Sequence, residues 1–428
     1  MTNKILLLLT VMVAGGSALA QDTVRMTLDS CLRYAYSHNI TLQTAQLNRE
    51  SAAAALSGAM MNFLPSVNAS ASQGWSWSDP ESGSSHNGSY GVNGSLTLFN
   101  GLSNLRTYQQ AKVSQQQSDL TARQSQNTVS ARIISAYLTI VMNEEKLLFQ
   151  QEVLETSRQQ QAEGELKYNV GKILESDYRL LVANYLSAQA EIENTRLTID
   201  NNRLELHDLL CMPKGQTVGV TLSADSTSVD ATALPTYDEL VQASKESLPD
   251  WELGRLNVDM ARYNLELARA SFLPSLSLNA GMTYADGRQT MNGTTLVIDG
   301  GLNKSVTLGL NIPLFDRGAS VTQFRKSRLS LQQAELNYRQ DTIDLEATLH
   351  KQYNETQQAL NSYRKTEALC EAYHASYDVY VLKYREGAIT TVEMLQQQDK
   401  YLSAQNDYLQ SKYAFVLAKK QLDIYMGK

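Results

Sequence analysis

Tyr168-Asn-Val-Gly171 and Tyr384-Arg-Glu-Gly387 stand 216 positions apart, and Tyr185-Leu-Ser-Ala-Gln189 returns as Tyr401-Leu-Ser-Ala-Gln405 at the same offset. Upstream the two copies continue at an offset of 209: Thr27 matches Thr236, Leu47-Asn48 matches Leu256-Asn257, and Phe63-Leu-Pro-Ser66 matches Phe272-Leu-Pro-Ser275. By Leu98-Phe99 and Leu314-Phe315 the offset is back at 216. The stretch between these motifs therefore tolerates a change of length, as an exposed loop does. A chain written twice folds into two equivalent units related by internal pseudo-symmetry.

Within each copy the punctuation is uneven. Proline occurs only at Pro65, Pro80, Pro213, Pro235, Pro249, Pro274 and Pro313, which leaves Ser103 to Met212 and Ser320 to the end free of it. Those stretches are rich in Ala, Gln, Leu, Glu, Lys and Arg, all good helix formers. Apolar residues such as Ile133, Ile134, Tyr137, Leu138 and Val141 recur at three- and four-residue steps. A helix of roughly 65 residues is about 100 Å long, far more than a globular core requires. Gly171 and Gly387 break the two stretches, since glycine closes a helix through the left-handed turn. The expectation is two antiparallel helical hairpins with tips at 169–173 and 386–389.

Four short windows have a different period. Ser66, Asn68, Ser70 and Ser72 alternate with Val67, Ala69 and Ala71, and Tyr90, Val92, Leu96 and Leu98 alternate with Gly91, Asn93, Ser95 and Thr97. In the second copy Leu276, Leu278, Ala280, Met282 and Tyr284 alternate with Ser277, Asn279, Gly281 and Thr283, and Val306, Leu308, Leu310 and Ile312 with Thr307, Gly309 and Asn311. Period two predicts strands with one apolar and one polar face, over about 64–78, 88–99, 273–286 and 302–315. The Gly-, Ser-, Asn- and Asp-rich segments 79–85 and 287–299 between them are expected as hairpin loops. Four strands cannot close a barrel or a sandwich alone, and strands of about ten residues with small polar alternate positions match the outer-membrane pattern. Closure therefore calls for several chains. The alternative is an ordinary soluble sandwich.

Lys4, the apolar run Ile5 to Ala14 and Ala18-Leu-Ala20 read as a secretory signal over 1–20, with mature protein starting near Gln21. Beyond it no apolar run approaches the roughly 20 residues of a spanning helix, so strands would have to make any membrane crossing. The net charge of −7 is spread along the chain without a basic block, which disfavours nucleic acid. Cys31, Cys211 and Cys370 are far apart and lack metal or redox spacing, so a Cys31–Cys211 disulfide and three free thiols both stay open. The five histidines are dispersed, and no metalloprotease, phosphate-loop, nucleophile-elbow or zinc motif occurs. No catalytic residue, cofactor site or metal site is expected.

The order helix, strand pair, long helix, Gly turn and long helix, repeated, resembles the TolC-like outer-membrane efflux proteins over essentially all of the mature chain. The motifs that carry it are Phe-Leu-Pro-Ser before each strand pair, Leu98-Phe-Asn-Gly101 and Leu314-Phe-Asp-Arg-Gly318 after it, and Tyr-x-x-Gly at each tip. The resemblance implies a mainly α chain with a small β part, in two repeats over 21–212 and 237–428. It also implies a homotrimer, with a twelve-stranded β-barrel in the outer membrane and an α-helical barrel through the periplasm. Segment 213–236 would link the repeats in an equatorial collar. The implied function is a passive exit duct for efflux or type I secretion, with a periplasmic adaptor (membrane fusion protein) and a proton- or ATP-driven inner-membrane pump as partners. The alternative is a periplasmic adaptor, which also carries long helical hairpins.

The resemblance also suggests site residues. Asp177 and Glu393 each lie six residues after a tip glycine, at equivalent repeat positions, and Glu393 falls on an acidic position that narrows the family's periplasmic entrance. A ring of such charges from three chains favours cations. The family's second acidic position is Gln396 here, which implies a weaker field. Of the family's closing links this chain keeps Ser176, Asp177 and Tyr384, but Ile389 replaces the arginine, with Lys172 and Arg385 nearby as substitutes. The alternative for Asp177 and Glu393 is a solvated charge at a helix start, where the dipole favours it. The tips, with Gly171, Ile173, Gly387 and Ile389, are the implied adaptor-docking surface.

Overall fold

The computed structural model describes residues 22–77, 83–221, 234–291 and 294–427. The expected signal over 1–20 lies outside the described residues. In chain order the elements are β1 (Asp22–Met26), α1 (Leu28–His38), α2 (Ile40–Met61), β2 (Ser66–Trp77), β3 (Ser84–Asn100), α3 (Ser103–Asn169), α4 (Glu175–Leu210) and β4 (Gln216–Val220). Then follow α5 (Tyr237–Ser247), α6 (Pro249–Ala270), β5 (Ser275–Met291), β6 (Thr294–Asn311), α7 (Ala319–Arg385) and α8 (Thr391–Tyr425). The duplication holds at the level of elements: α3 and α7 are each 67 residues long, about 100 Å at 1.5 Å per residue.

Local chemistry sets the joints. In Phe-Leu-Pro-Ser the amides of Phe63 and Leu64 still bond to Met60 and Met61 carbonyls, and Phe272 and Leu273 to Arg269 and Ala270. The following proline cannot continue that ladder, so the strand starts at Ser66 or Ser275. After the hairpins, Asn100 accepts from the Asn104 amide, and Asp316 from the Gly318 and Ser320 amides, seeding the two long helices. Gly101, at φ 64°, admits no side chain there, because a Cβ would sit 2.7 Å from the Ala270 carbonyl oxygen.

β2, β3, β5 and β6 form one antiparallel sheet in that order. Register sorts its faces. Leu276 pairs Leu310, Leu278 pairs Leu308 and Leu96, Ala280 pairs Val306, and Tyr90 pairs Tyr284, which in turn pairs Leu302. On the other face Asn93 pairs Gly281, Ser95 pairs Asn279, Ser66 pairs Ser95 and Asn279 pairs Thr307. The apolar face is bare in the single chain, with Val306 77% and Leu308 63% exposed; Lys304, opposite Met282, interrupts it, and beyond Tyr90 and Tyr284 the same face carries Gln73 and Asp286 on either side of Gly88. A long aliphatic stem lets such a lysine reach a polar boundary. Leu276 to Tyr284 covers about 27 Å of strand, or about 21 Å of height at a tilt of roughly 40°, close to a membrane band of about 25 Å.

Two strand expectations need correction. Segments 287–299 and 84–85 belong mostly to strands, because β5 stays in register with β3 out to Thr290 opposite Ser84 and β6 follows it around Met291 to Thr294. The extra length of the second copy is thus ladder as well as loop. β2 and β5 begin two residues later than expected, each after its proline, while β3 and β6 begin earlier, at Ser84 and Thr294, and β6 ends at Asn311, before Pro313. Segment 213–236 contributes a further strand, β4, which pairs parallel with β1; residues 222–233 lie outside the described residues.

The core lies where the repeats return to one level. Cys31 and Ala35 of α1 pack with Ile133, Tyr137, Ile140, Leu206, Leu210 and the buried Val218 of β4, and the Tyr137 hydroxyl donates to the Thr221 carbonyl at 2.7 Å. The second copy reproduces this cluster with Leu240, Leu349 and Leu422, at the repeat positions of Cys31, Ile133 and Leu206. Cys31, Cys211 and Cys370 are free thiols, and burial pushes the Cys31 thiol up to about 11.

Candidate functional site: the paired hairpin tips

Both tips close by the same backbone device. The Lys172 amide bonds the Lys167 carbonyl at 2.8 Å and the Gly171 amide the Tyr168 carbonyl at 2.9 Å; Ala388 to Lys383 and Gly387 to Tyr384 repeat the pattern at 2.8 and 3.1 Å. This pair of bonds caps the last orphan carbonyls of a helix and needs a left-handed residue after it. Gly171 (φ 70°) and Gly387 (φ 74°) supply it. A Cβ at either would meet nothing within 4 Å, so conformation alone selects glycine.

The return helices start differently. Thr390 caps α8 through a capping box: its hydroxyl accepts from the Glu393 amide at 3.3 Å, while Glu393 Oε2 accepts from the Thr390 amide at 2.8 Å and from its hydroxyl at 2.9 Å. These bonds to Thr390 hold the Glu393 carboxyl below its usual range. Leu174 occupies the equivalent cap of α4 and has no side-chain acceptor, so the half-buried Asp177 is without a partner among the described residues.

Tyr384 is buried, 6% exposed, with Leu181, Tyr377 and Met394, and Ile389 packs on the same cluster. Lys167 of the first hairpin stands 4.4 Å over its ring, and its hydroxyl has no hydrogen-bond partner. Leu181 enters the space left by the missing side chain of Gly164. Tyr168, the repeat counterpart of Tyr384, instead stacks on Tyr178 at 5.6 Å. Asp177 lies one helical turn before Leu181 and so borders the Tyr384 cluster without bonding to it. Ser176, Lys172, Arg385 and Gln396 are exposed, Ile173 is half-buried, and neither Lys172 nor Arg385 forms a salt bridge among the described residues.

Sequence reasoning missed a polar layer just inside the tips. Gln160 donates to the Tyr377 hydroxyl at 3.1 Å, Gln397 to Ser376 at 2.9 Å, and Asn184 to Ser157 at 3.2 Å, with Gln160, Gln397, Gln398 and Ser157 all buried. Glutamines at core-facing positions of an otherwise apolar helical stripe were the available signal. Where α3 meets α8, Glu145 accepts from Lys412 (2.8 Å) and Tyr413 (2.7 Å), tying the two hairpins together.

No helix among the described residues is long and apolar enough to cross a membrane, and no group of residues there could hold a metal ion. The family model described as "Outer membrane efflux protein" matches residues 32–211 and 240–428. The chain is 22% identical to the outer membrane protein TolC of Vibrio cholerae, over 90% of this chain and 87% of that one. It is also 22% identical to the alkaline protease secretion protein AprF of Pseudomonas aeruginosa, over 72% of this chain but only 63% of that protein. Among solved structures, CusC superposes with a TM-score of 0.74 at 19% identity, covering 95% of this chain and 93% of that one. The CmeC outer membrane channel of Campylobacter jejuni gives 0.73 at 20% identity, covering 94% and 85%.

Proposed function

We infer the function from one premise: the chain belongs to the outer membrane efflux protein family, whose model matches both of its repeats. It is an exit channel for efflux or secretion, set in the outer membrane and reaching into the periplasm, and it is not an enzyme. The adaptor alternative has no support from the relatives or the fold.

The observation that carries the finer reading is the open sheet. Its four strands expose a largely apolar face and end in the edges of β2 and β6, unpaired among the described residues. A bare sheet edge is not tolerated in lipid. Three copies side by side would close a barrel of twelve strands whose lumen is lined by Ser, Asn, Gly and Thr. The helices below would form the periplasmic tunnel, with adaptor docking at the tips around Gly171, Ile173, Gly387 and Ile389 and an inner-membrane pump supplying energy. Purification from outer membranes is expected to yield a heat-modifiable trimer with its adaptor attached. Gly387→Trp should keep the trimer and lose the adaptor. Release of the protein by osmotic shock, or a monomer in the membrane, would overturn this reading.

At the entrance, Glu393 and Gln396 are exposed on α8, Asp177 is without a partner among the described residues one helical turn before Leu181, and Leu181 packs in one cluster with Tyr384, whose buried hydroxyl is also without one. A side-chain rotation at Asp177 would let the carboxylate accept from Tyr384 and hold the tips together, with Ser176 beside them and Ile389 in place of a charged link. Asp177→Ala is then expected to raise the resting conductance of the channel in planar bilayers. A resting current equal to wild type would remove Asp177 from the gate.

A further inference from the structure

Tyr401 opens the second copy of the Tyr-Leu-Ser-Ala-Gln motif and sits at the centre of an aromatic group drawn from three helices. Phe149 of α3 meets its ring edge-on at 5.6 Å, Tyr377 of α7 stacks on it at 5.7 Å, and His374 of α7 stacks at 4.9 Å. A groove of about 250 Å³ opens against these rings, with Glu152 and Asp378 on its walls and no lysine or arginine lining it. The Glu152 carboxylate has no hydrogen-bond or ion-pair partner among the described residues, and Asp378 has only His374, at 3.9 Å. Burial first, then negative groups that include Glu152 and Asp378, push the Tyr401 phenol up to about 12. Below Tyr377, Gln160 holds its hydroxyl and so fixes the ring.

Architecture does not ask for this group. In the first copy, Arg158, Gln161 and Ala162 occupy the positions equivalent to His374, Tyr377 and Asp378, and Tyr185 that of Tyr401. The duplicated hairpin thus folds to the same length without the His374 and Tyr377 rings or the Asp378 carboxylate. What the second copy adds is a set of pre-placed aromatic faces in a negative field.

We propose that the groove between Phe149, Tyr377 and Tyr401 is a binding site for an organic cation whose charge is spread over a flat or alkylated nitrogen framework. Ring faces attract such a cation through their quadrupole, most strongly when its hydration is weak, and Glu152 and Asp378 complete the charge match. The proposal does not rest on the channel reading, because binding is measured on the solubilised protein without transport.

The test is fluorescence titration of the purified full-length protein in non-ionic detergent with proflavine, a planar acridine cation, against a micelle blank. Wild type should bind saturably. The Glu152→Gln, Asp378→Asn double variant, which keeps every ring, should weaken binding at least fivefold with unchanged helical circular dichroism, and Tyr401→Leu should do the same. Anionic fluorescein should not bind. Absence of saturable proflavine binding to wild type, wild-type affinity in the double variant, or equal binding of fluorescein would each overturn the proposal. If Tyr401→Leu fails to fold, the double variant decides.

Discussion

Glu393 shows how one side chain is assigned by its neighbours. From its repeat position and the family resemblance it reads as part of a charged entrance, and in the fold its carboxylate is also the second half of a capping box with Thr390. Those roles coexist, because an exposed carboxylate keeps its charge while accepting from the helix start. The sign of the pH effect follows from its lowered pKa: the capping contribution is fully present above the ordinary value of 4.5 and is lost as pH falls through the folded-state value. The thermal midpoint of wild type should therefore exceed that of Glu393→Ala near neutral pH, and the gap should narrow and then close as the pH falls through the lowered folded-state value. A gap independent of pH would mean that the carboxylate does not cap. Its counterpart Asp177 follows Leu174 instead of a threonine, so the same repeat position is left free for a partner elsewhere. The tip glycines were legible in sequence, because closing a helix through a left-handed turn is local backbone chemistry, whereas the Thr390–Glu393 capping box emerged only in the fold. The burial of the Tyr384 hydroxyl was not legible either, since Leu181, Met394 and Lys167 reach it from other turns and helices.

The long helices could be read from propensity, but their pairing is decided by side chains that alternate in size. Gly164 on α3 leaves a hole that Leu181 of α4 fills completely, in the manner of knobs packing into holes. Leu181→Ala empties that hole and also strips a wall from the Tyr384 cluster. A loss of about 2–5 kcal/mol is expected, and hydrogen exchange should report it as faster opening of 160–185 with the core around Cys31 and Tyr137 unchanged. If exchange there stayed at the wild-type rate, the tip would be held by the polar layer of Gln160, Gln397 and Gln398 alone. The strands teach the opposite lesson about composition. Gly-, Asn- and Asp-rich residues 287–299 looked like a loop, yet residues 287–290 continue the ladder with β3 and residues 294–298 pair back onto β5. Pairing across strands overrode the local preference.

For the whole molecule, the sheet faces set the sharpest expectation. Val306 lies mid-height on the apolar face and Thr307, its neighbour, on the polar one. Val306→Arg should cost about 2–4 kcal/mol for folding into lipid, and Thr307→Arg close to none, as read by denaturant titration in vesicles. Equal costs would contradict the assignment of faces. The sequence by itself determined the duplication, the two hairpins with their glycine tips and the period-two strands with their facing, because each follows from spacing along one chain. It also placed the chain in its family through motifs that are individually weak but ordered and repeated. Only the tertiary structure decided that β1 and β4 pair against the core around Cys31 and Tyr137, and that the strand ladders run past their expected ends. It alone showed that Lys412 and Glu145 join the hairpins and that Phe149, Tyr377 and Tyr401 meet in one groove. Those facts depend on residues as far apart as Phe149 and Tyr401 arriving at one level, and the level is set by the summed rise of 67-residue helices rather than by any local signal.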